Sequence, residues 1–389
     1  MRWAGVVALL AALVVPGVAA SPTGCGGQQA PPPPAAADEV DGPAAAPVPW
    51  PDEPIGGPRM GACDEVGTTG APHVTAAGWV LADLDTGAVL AARAPHARHR
   101  PASTLKVLTA LVAVRRLDPD AVVAGTAQDE AIEGSKAGIG AGGQYTVRQL
   151  LAGLLLNSGN DTAEALARAL GGDAATLAAM TETAHDLGAL DTRPATSSGL
   201  DGPGMSSSAY DLALLFRAAM REPLFAQTIA TRSIDFPGYG EHPGFVLHNS
   251  SKLLARYPGA IGGKTGFTDA ARHTLVGAAE HNGRRLVVAM VRGEQSPEPM
   301  WQQATALFDW GFAVPAERAP VGELVDAAPV PPVAAPVPPA AVAAAGGSGA
   351  PTTSHSTPVP PEVVPIGLSA IALSAMVVGG VAMFRRSRR

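Results

Sequence analysis

The chain has 389 residues with 37 Pro, 45 Gly and only 4% aromatic residues, so it could hold two ordinary domains, yet much of it is poor core-forming material. The formal charge of −7 comes with no basic stripe or acidic tail, which argues against nucleic acid as a partner. The nine histidines form no His-Glu-x-x-His or comparable cluster, so zinc-peptidase chemistry is unsupported and no metal or other cofactor is expected.

Residues 1–20 read as a secretory signal: Arg2 supplies the positive start, residues 6–15 the apolar core, and Val18-Ala19-Ala20 a small-residue cleavage site. Residues 21–72 are Pro/Gly/Ala-rich without periodicity and read as a mobile lead-in. They hold both cysteines, Cys25 and Cys63, which an oxidising compartment favours as a disulfide.

From residue 73 the texture changes. Two apolar runs, residues 77–84 and 88–92, flank Asp85-Thr86-Gly87 as a hairpin. Pro101 opens a helix in which Val107, Leu108, Leu111 and Val114 recur at helical spacing, ending near Leu117. Further helices are expected over residues 146–156, 162–170, 174–187 and 208–220, with a glycine-rich loop, residues 197–204, before the last. The final third alternates like a sheet: residues 259–268, then 273–279 and 285–292 around His281-Asn282-Gly283, and a closing helix over 299–310. Mostly antiparallel strands with a helical insert imply an α+β domain over residues 73–313.

Residues 314–362 are Pro/Ala/Val-rich and read as a linker adding no core, so a chain ending near Pro320 is expected to fold. As a flexible coil such a linker averages about 40 Å, and as extended polyproline it reaches about 150 Å. Residues 363–384 then form an apolar stretch long enough to span a bilayer, followed by the basic tail 385–389, which stays on the cytoplasmic side. The domain is therefore expected on the extracytoplasmic face of the cell membrane, held by a single C-terminal pass.

Three short motifs carry the chemistry. In Ser103-Thr104-Leu105-Lys106 a hydroxyl and an amine three residues apart share one helix face. A serine hydroxyl needs a neighbouring base to be a nucleophile, and lysine serves only when neutral, which burial and a second cation both favour. Lysine is scarce: Lys106, Lys136, Lys252 and Lys264 are the only four among 27 basic residues, yet two stand in motifs. Ser158-Gly159-Asn160 and Lys264-Thr265-Gly266 follow in that order, completing the pattern of serine acyltransferases that act on penicillin-like and D-Ala-D-Ala-like substrates.

On these motifs, with Gly199-Leu200-Asp201, Gly266-Phe267-Thr268-Asp269 and Trp310-Gly311-Phe312 beside them, residues 77–312 resemble the low-molecular-mass penicillin-binding proteins, specifically D-alanyl-D-alanine carboxypeptidases. The resemblance implies an antiparallel sheet flanked by helices, with the site between the sheet edge and a helical subdomain. It implies a peptidoglycan stem peptide ending in D-Ala-D-Ala as substrate and β-lactam antibiotics as covalent inhibitors. Ser103 is the expected nucleophile and Lys106 its base. Ser158 passes the proton on, Asn160 holds Lys106 or the substrate amide, and Lys264 supplies positive field. Lys264, Thr265 and Thr268 are expected to share the substrate carboxylate, and the resemblance implies that the backbone N–H groups of Ser103 and Phe267, beside Gly266, form the oxyanion hole. Where relatives place an arginine for that carboxylate this chain has Met300, so Arg292 is expected to assist, with Arg272 as runner-up. The rival readings are a β-lactamase, for which no convincing deacylating glutamate is found (Glu182 lacks the local wording), and a non-catalytic wall-binding protein.

Overall fold

The structure, a computed structural model, describes residues 48–329. The chain enters the sheet as β1 (Glu65–Val66), then forms the hairpin β2 (Gly78–Asp83) and β3 (Ala88–Arg93). Asp83 Oδ1 accepts from the backbone N–H of Asp85 and Thr86, tightening the Asp85-Thr86-Gly87 turn the sequence marks. A 3-10 turn, Ala102–Leu105, runs directly into α1 (Lys106–Arg116).

The helical insert follows: β4 (Val122–Ala124), α2 (Ala127–Ala131), β5 (Gln144–Thr146), α3 (Val147–Leu156), α4 (Asn160–Ala169) and α5 (Asp173–Leu187). Thr146 and Gln149 form a reciprocal capping box at the start of α3, the signal that fixes its register. Next come α6 (Ala209–Met220), capped by Ser208, α7 (Pro223–Ala230), the hairpin β6 (Ser233–Phe236) and β7 (Phe245–His248), and α8 (Lys252–Arg256). The chain ends in β8 (Ala260–Thr268), β9 (Arg272–His281), β10 (Arg284–Gly293), α9 (Met300–Ala313) and β11 (Gly322–Glu323). Asn282 and Gly283 both take positive φ, 52° and 78°, as a two-residue hairpin between right-twisted strands requires.

The main sheet is seven-stranded and antiparallel, in the order β1-β3-β2-β10-β9-β8, with β11 also on β3. Alternation along β10 sorts its side chains: Val287, Ala289 and Val291 join the core under α1, α3 and α6, whereas Leu286, Val288 and Met290 join Leu307 and Phe308 of α9. Helices cover both faces, which is why β10 reads as a continuous apolar run. At one edge β8 is left with a free side facing the helical insert.

The packed domain runs past both boundaries read from the sequence. Within the expected lead-in, Ile55 and Met60 are buried core residues and β1 pairs with β3. Within the expected linker, Gly322 pairs with Val89, Leu324 is fully buried, and the Tyr210 hydroxyl donates to the Glu323 carbonyl at 2.6 Å. The physical reason is the outer edge of β3, whose ladder groups would otherwise face water; two two-residue strands cover it, too short to leave a periodic signal. The sequence reading also missed the short α2, α7 and α8, the two-stranded sheet β4–β5 and the hairpin β6–β7. Cys63 is disulfide-bonded, and Cys25 lies outside the described residues. The expected signal peptide and membrane span also fall outside them; among the described residues no helix is long and apolar enough to cross a membrane.

Candidate active site

Ser103 sits in the 3-10 turn and Lys106 is the first residue of α1, so the hydroxyl and amine meet one turn apart, with Lys106 Nζ 3.0 Å from Ser103 Oγ. Lys106 has two more neighbours, Asn160 Oδ1 at 2.7 Å and the Ser198 carbonyl at 2.5 Å. Asn160 is oriented by its own amide, which donates to the Glu133 carbonyl at 2.6 Å. A neutral amine has two N–H bonds and one lone pair. Two carbonyl-type acceptors use the N–H bonds, and the lone pair is left for the Ser103 hydroxyl.

Electrostatics favour that neutral form. Burial holds Lys106 well below the usual amine range, and the nearby Lys264 pushes it the same way, against the opposing pull of Asp161. Lys264 is itself buried, which lowers its pKa to about 7. Its Nζ donates to Ser158 Oγ at 3.0 Å and to the Thr265 carbonyl at 2.7 Å, so the second serine–lysine pair faces the first.

The backbone is shaped to bring these groups together. Ser158 takes φ 59° and Ala102 φ 48°, left-handed conformations that cost non-glycine residues energy and so require surrounding constraints. At Gly199 a Cβ would lie 2.1 Å from the Ala102 carbonyl oxygen, so only glycine lets the 197–204 loop bring Ser198 to Lys106. A Cβ at Gly266 would lie 2.6 Å from the Ser103 backbone nitrogen. The glycine of the Lys-Thr-Gly motif is thus where β8 passes against the main chain of Ser103, bringing its amide close to the strand that carries Phe267. Thr274 on β9 fixes the same turn by donating to the Pro101 carbonyl at 2.8 Å.

A cleft of about 520 Å³ opens over this centre, lined among others by Ser103, Ser158, Thr265, Gly266, Phe267 and Thr274. Lys106, Asn160 and Lys264 lie buried beside it. Two expected carboxylate-binding residues are not at the cleft lining. The Thr268 hydroxyl accepts from the Ala271 N–H at 3.0 Å and closes the β8–β9 turn. Arg292 lies within the register shift between Met290 and Gly293 late in β10 and donates to the Ala270 carbonyl at 3.3 Å. Arg272, the runner-up, is ion-paired with Glu294 at 2.8 Å.

The sequence reading missed Asp161, whose carboxylate accepts from the backbone N–H groups of Ala137, Gly138 and Ile139 at 2.9, 2.7 and 3.1 Å. It thereby holds the segment that places Ser135 in the cleft. Its position beside Asn160 at the start of α4 was the one available signal. Lys252 and Trp301 also line the cleft, and no local motif announced either.

A family model described as D-alanyl-D-alanine carboxypeptidase matches residues 65–295. The D-alanyl-D-alanine carboxypeptidase DacB2 of Mycobacterium tuberculosis is 51% identical over 263 residues, covering 66% of this chain and 89% of that protein. DacD of Salmonella typhimurium is 35% identical, over 62% of this chain and 63% of its own length. Among solved structures, a D-alanyl-D-alanine carboxypeptidase from Mycobacterium tuberculosis superposes with a TM-score of 0.62 at 50% identity, covering 65% of this chain and 96% of that one. The Streptomyces K15 DD-transpeptidase does so with 0.59 at 29%, covering 63% and 99%. The shared fold, with its sheet flanked by helices, and a match over more than half the sequence lead to one conclusion: the chain belongs to the D-alanyl-D-alanine carboxypeptidase family, a family of peptidases.

Proposed function

We propose that this chain removes the terminal D-Ala from peptidoglycan stem peptides through an acyl-enzyme on Ser103, and that penicillins inhibit it by acylating the same oxygen. The observation that carries this reading is the pair of carbonyl acceptors on Lys106, which leaves its lone pair directed at Ser103 Oγ. Lys106 takes the hydroxyl proton as Oγ attacks the carbonyl carbon of the penultimate D-Ala. The backbone N–H groups of Ser103 and Phe267 receive the developing oxyanion. As the C–N bond breaks, Ser158 hands a proton to the leaving amine and is resupplied from the lysine pair. Water then cleaves the ester: Lys106 takes one of its protons and passes it to Ser103 Oγ as the acyl–oxygen bond breaks, while the water's oxygen and its other hydrogen leave with the product's carboxyl group.

Two observations favour a slow-deacylating peptidase over a β-lactamase. Among the described residues no carboxylate lines the cleft, and Glu182 is exposed and paired with Arg116 at 2.6 Å. The complete set of catalytic groups disfavours a purely wall-binding role. Export by residues 1–20 and anchoring by residues 363–384 are part of the same proposal; they would hold the domain outside the membrane, where its substrate is.

Mass spectrometry of penicillin-treated protein, with D-Ala release from a pentapeptide, tests the reading. The acyl group is expected on Ser103, and Ser103→Ala should abolish both labelling and release while leaving the domain folded, since a hydroxyl at a helix start contributes only about 1 kcal/mol. Labelling that survived in Ser103→Ala would place the nucleophile elsewhere.

A further inference from the structure

A substrate ending in D-Ala carries a carboxylate beside the scissile bond, and a carboxylate drawn into a cleft needs a charge-assisted partner. Most cations near the cleft are committed. Lys106 and Lys264 are buried in the hydrogen bonds described above, Arg272 is paired with Glu294, and Arg292 rests on Ala270. His273 also lines the cleft, and burial and the adjacent Arg272 both push its pKa down, which disfavours its cationic form. Lys252 is different: it lines the cleft, is exposed, and its ammonium has no hydrogen bond or ion pair among the described residues.

The fold also delivers Lys252 to the correct side of β8. Thr265 pairs directly with Leu275 across the β8–β9 ladder, so their side chains share one sheet face. Leu275 belongs to the apolar cluster that includes Leu253 of α8, and a Cβ at Gly277 would lie 2.7 Å from Leu253 Cδ2. Helix α8 therefore lies on the face that carries Thr265, and Lys252, one residue before Leu253, is the cation it presents there. On the same side stands Met300, only 2% exposed, whose thioether offers no charge.

We infer that Lys252 and Thr265 together receive the terminal carboxylate of the substrate, which makes Lys252 the residue that selects peptides with a free C-terminus. This inference rests on the carboxypeptidase reading of the site. The test compares kcat/KM for diacetyl-L-Lys-D-Ala-D-Ala and for its C-terminal amide in the full chain, in Lys252→Met and in Lys252→Arg. The methionine variant should lose about 10- to 100-fold on the free acid, mainly through KM, and about twofold or less on the amide. Arginine should restore most of the preference, since it keeps the charge at an exposed position. Equal losses on both peptides, or a methionine variant that keeps the full preference, would overturn the inference while the carboxypeptidase reading stands. A wild-type chain that cleaves neither peptide, releasing no D-Ala from the acid and no D-alaninamide from the amide, and takes no penicillin would overturn both.

Discussion

Lys106 Nζ and Ser103 Oγ stand 3.0 Å apart, and the amine's other two contacts, Asn160 Oδ1 and the Ser198 carbonyl, can only accept. The amine is thereby held in place, and burial with the nearby Lys264 pushes its pKa down; in the neutral form its two N–H bonds would serve the fixed oxygens and its lone pair would be left for the hydroxyl. Lys106→Arg should accordingly be nearly as damaging as Lys106→Ala. A guanidinium keeps its proton at working pH, so the acylation rate should fall by about 10²- to 10⁴-fold, the range for loss of a general base. Stopped-flow acylation by a chromogenic β-lactam measures this, and an arginine variant retaining a tenth of the rate would exclude a neutral lysine base.

Lys264 should make stability depend on pH. Its pKa is about 7 when folded, against the ordinary 10.5. Between these values the unfolded chain binds more protons at this site than the folded one, so stability rises with pH across that window. Urea unfolding of wild type and Lys264→Met at pH 7 and pH 9.5 isolates the contribution. Wild type should gain up to about 3 kcal/mol relative to the variant, since each tenfold change in proton affinity is worth roughly 1.36 kcal/mol. A constant difference between the two proteins would mean that Lys264 folds with an ordinary pKa.

Asp161→Asn should destabilise the domain and slow turnover together. The carboxylate serves four backbone donors, Ala137, Gly138, Ile139 and Thr162, and an amide offers one acceptor oxygen and introduces donors of its own. A cost of about 1–3 kcal/mol is expected for buried N–H groups left without a partner. Because the held segment carries Ser135 into the cleft, KM should rise as well. Unchanged unfolding midpoints would show that water replaces the carboxylate at no cost.

Ending the chain after Pro320 should weaken the fold, contrary to what its composition suggests. That cut removes Leu324, which is fully buried, and Asp326, the ion-pair partner of the buried Arg217. Burial of a leucine side chain alone stabilises by about 1.5–3 kcal/mol. A chain ending at residue 329 should unfold at a clearly higher urea concentration than one ending at 320; coincident curves would show that β11 and its neighbours add nothing.

The sequence by itself determined the family, the candidate site motifs and most of the architecture. The hydroxyl–amine spacing of Ser103 and Lys106 is a property of a helix, legible wherever a helix is. The β2–β3 and β9–β10 hairpins and the long helices α1, α3, α5 and α6 were legible for the same reason, since turn residues and apolar periodicity act over neighbouring positions. Tertiary structure alone decided what depends on distant segments meeting. The Ser198 carbonyl reaches Lys106 because Gly199 leaves room against Ala102, and no local pattern encodes that approach. Lys252 rather than Arg292 lines the cleft for a similar reason: sequence distance from the motif favoured the arginine, whereas the seating of α8 on the sheet brings the lysine there. That the packed domain includes β1 and β11 was hidden because strands of two residues gain their stability from the edge of β3, far away in the chain, and leave no periodicity of their own.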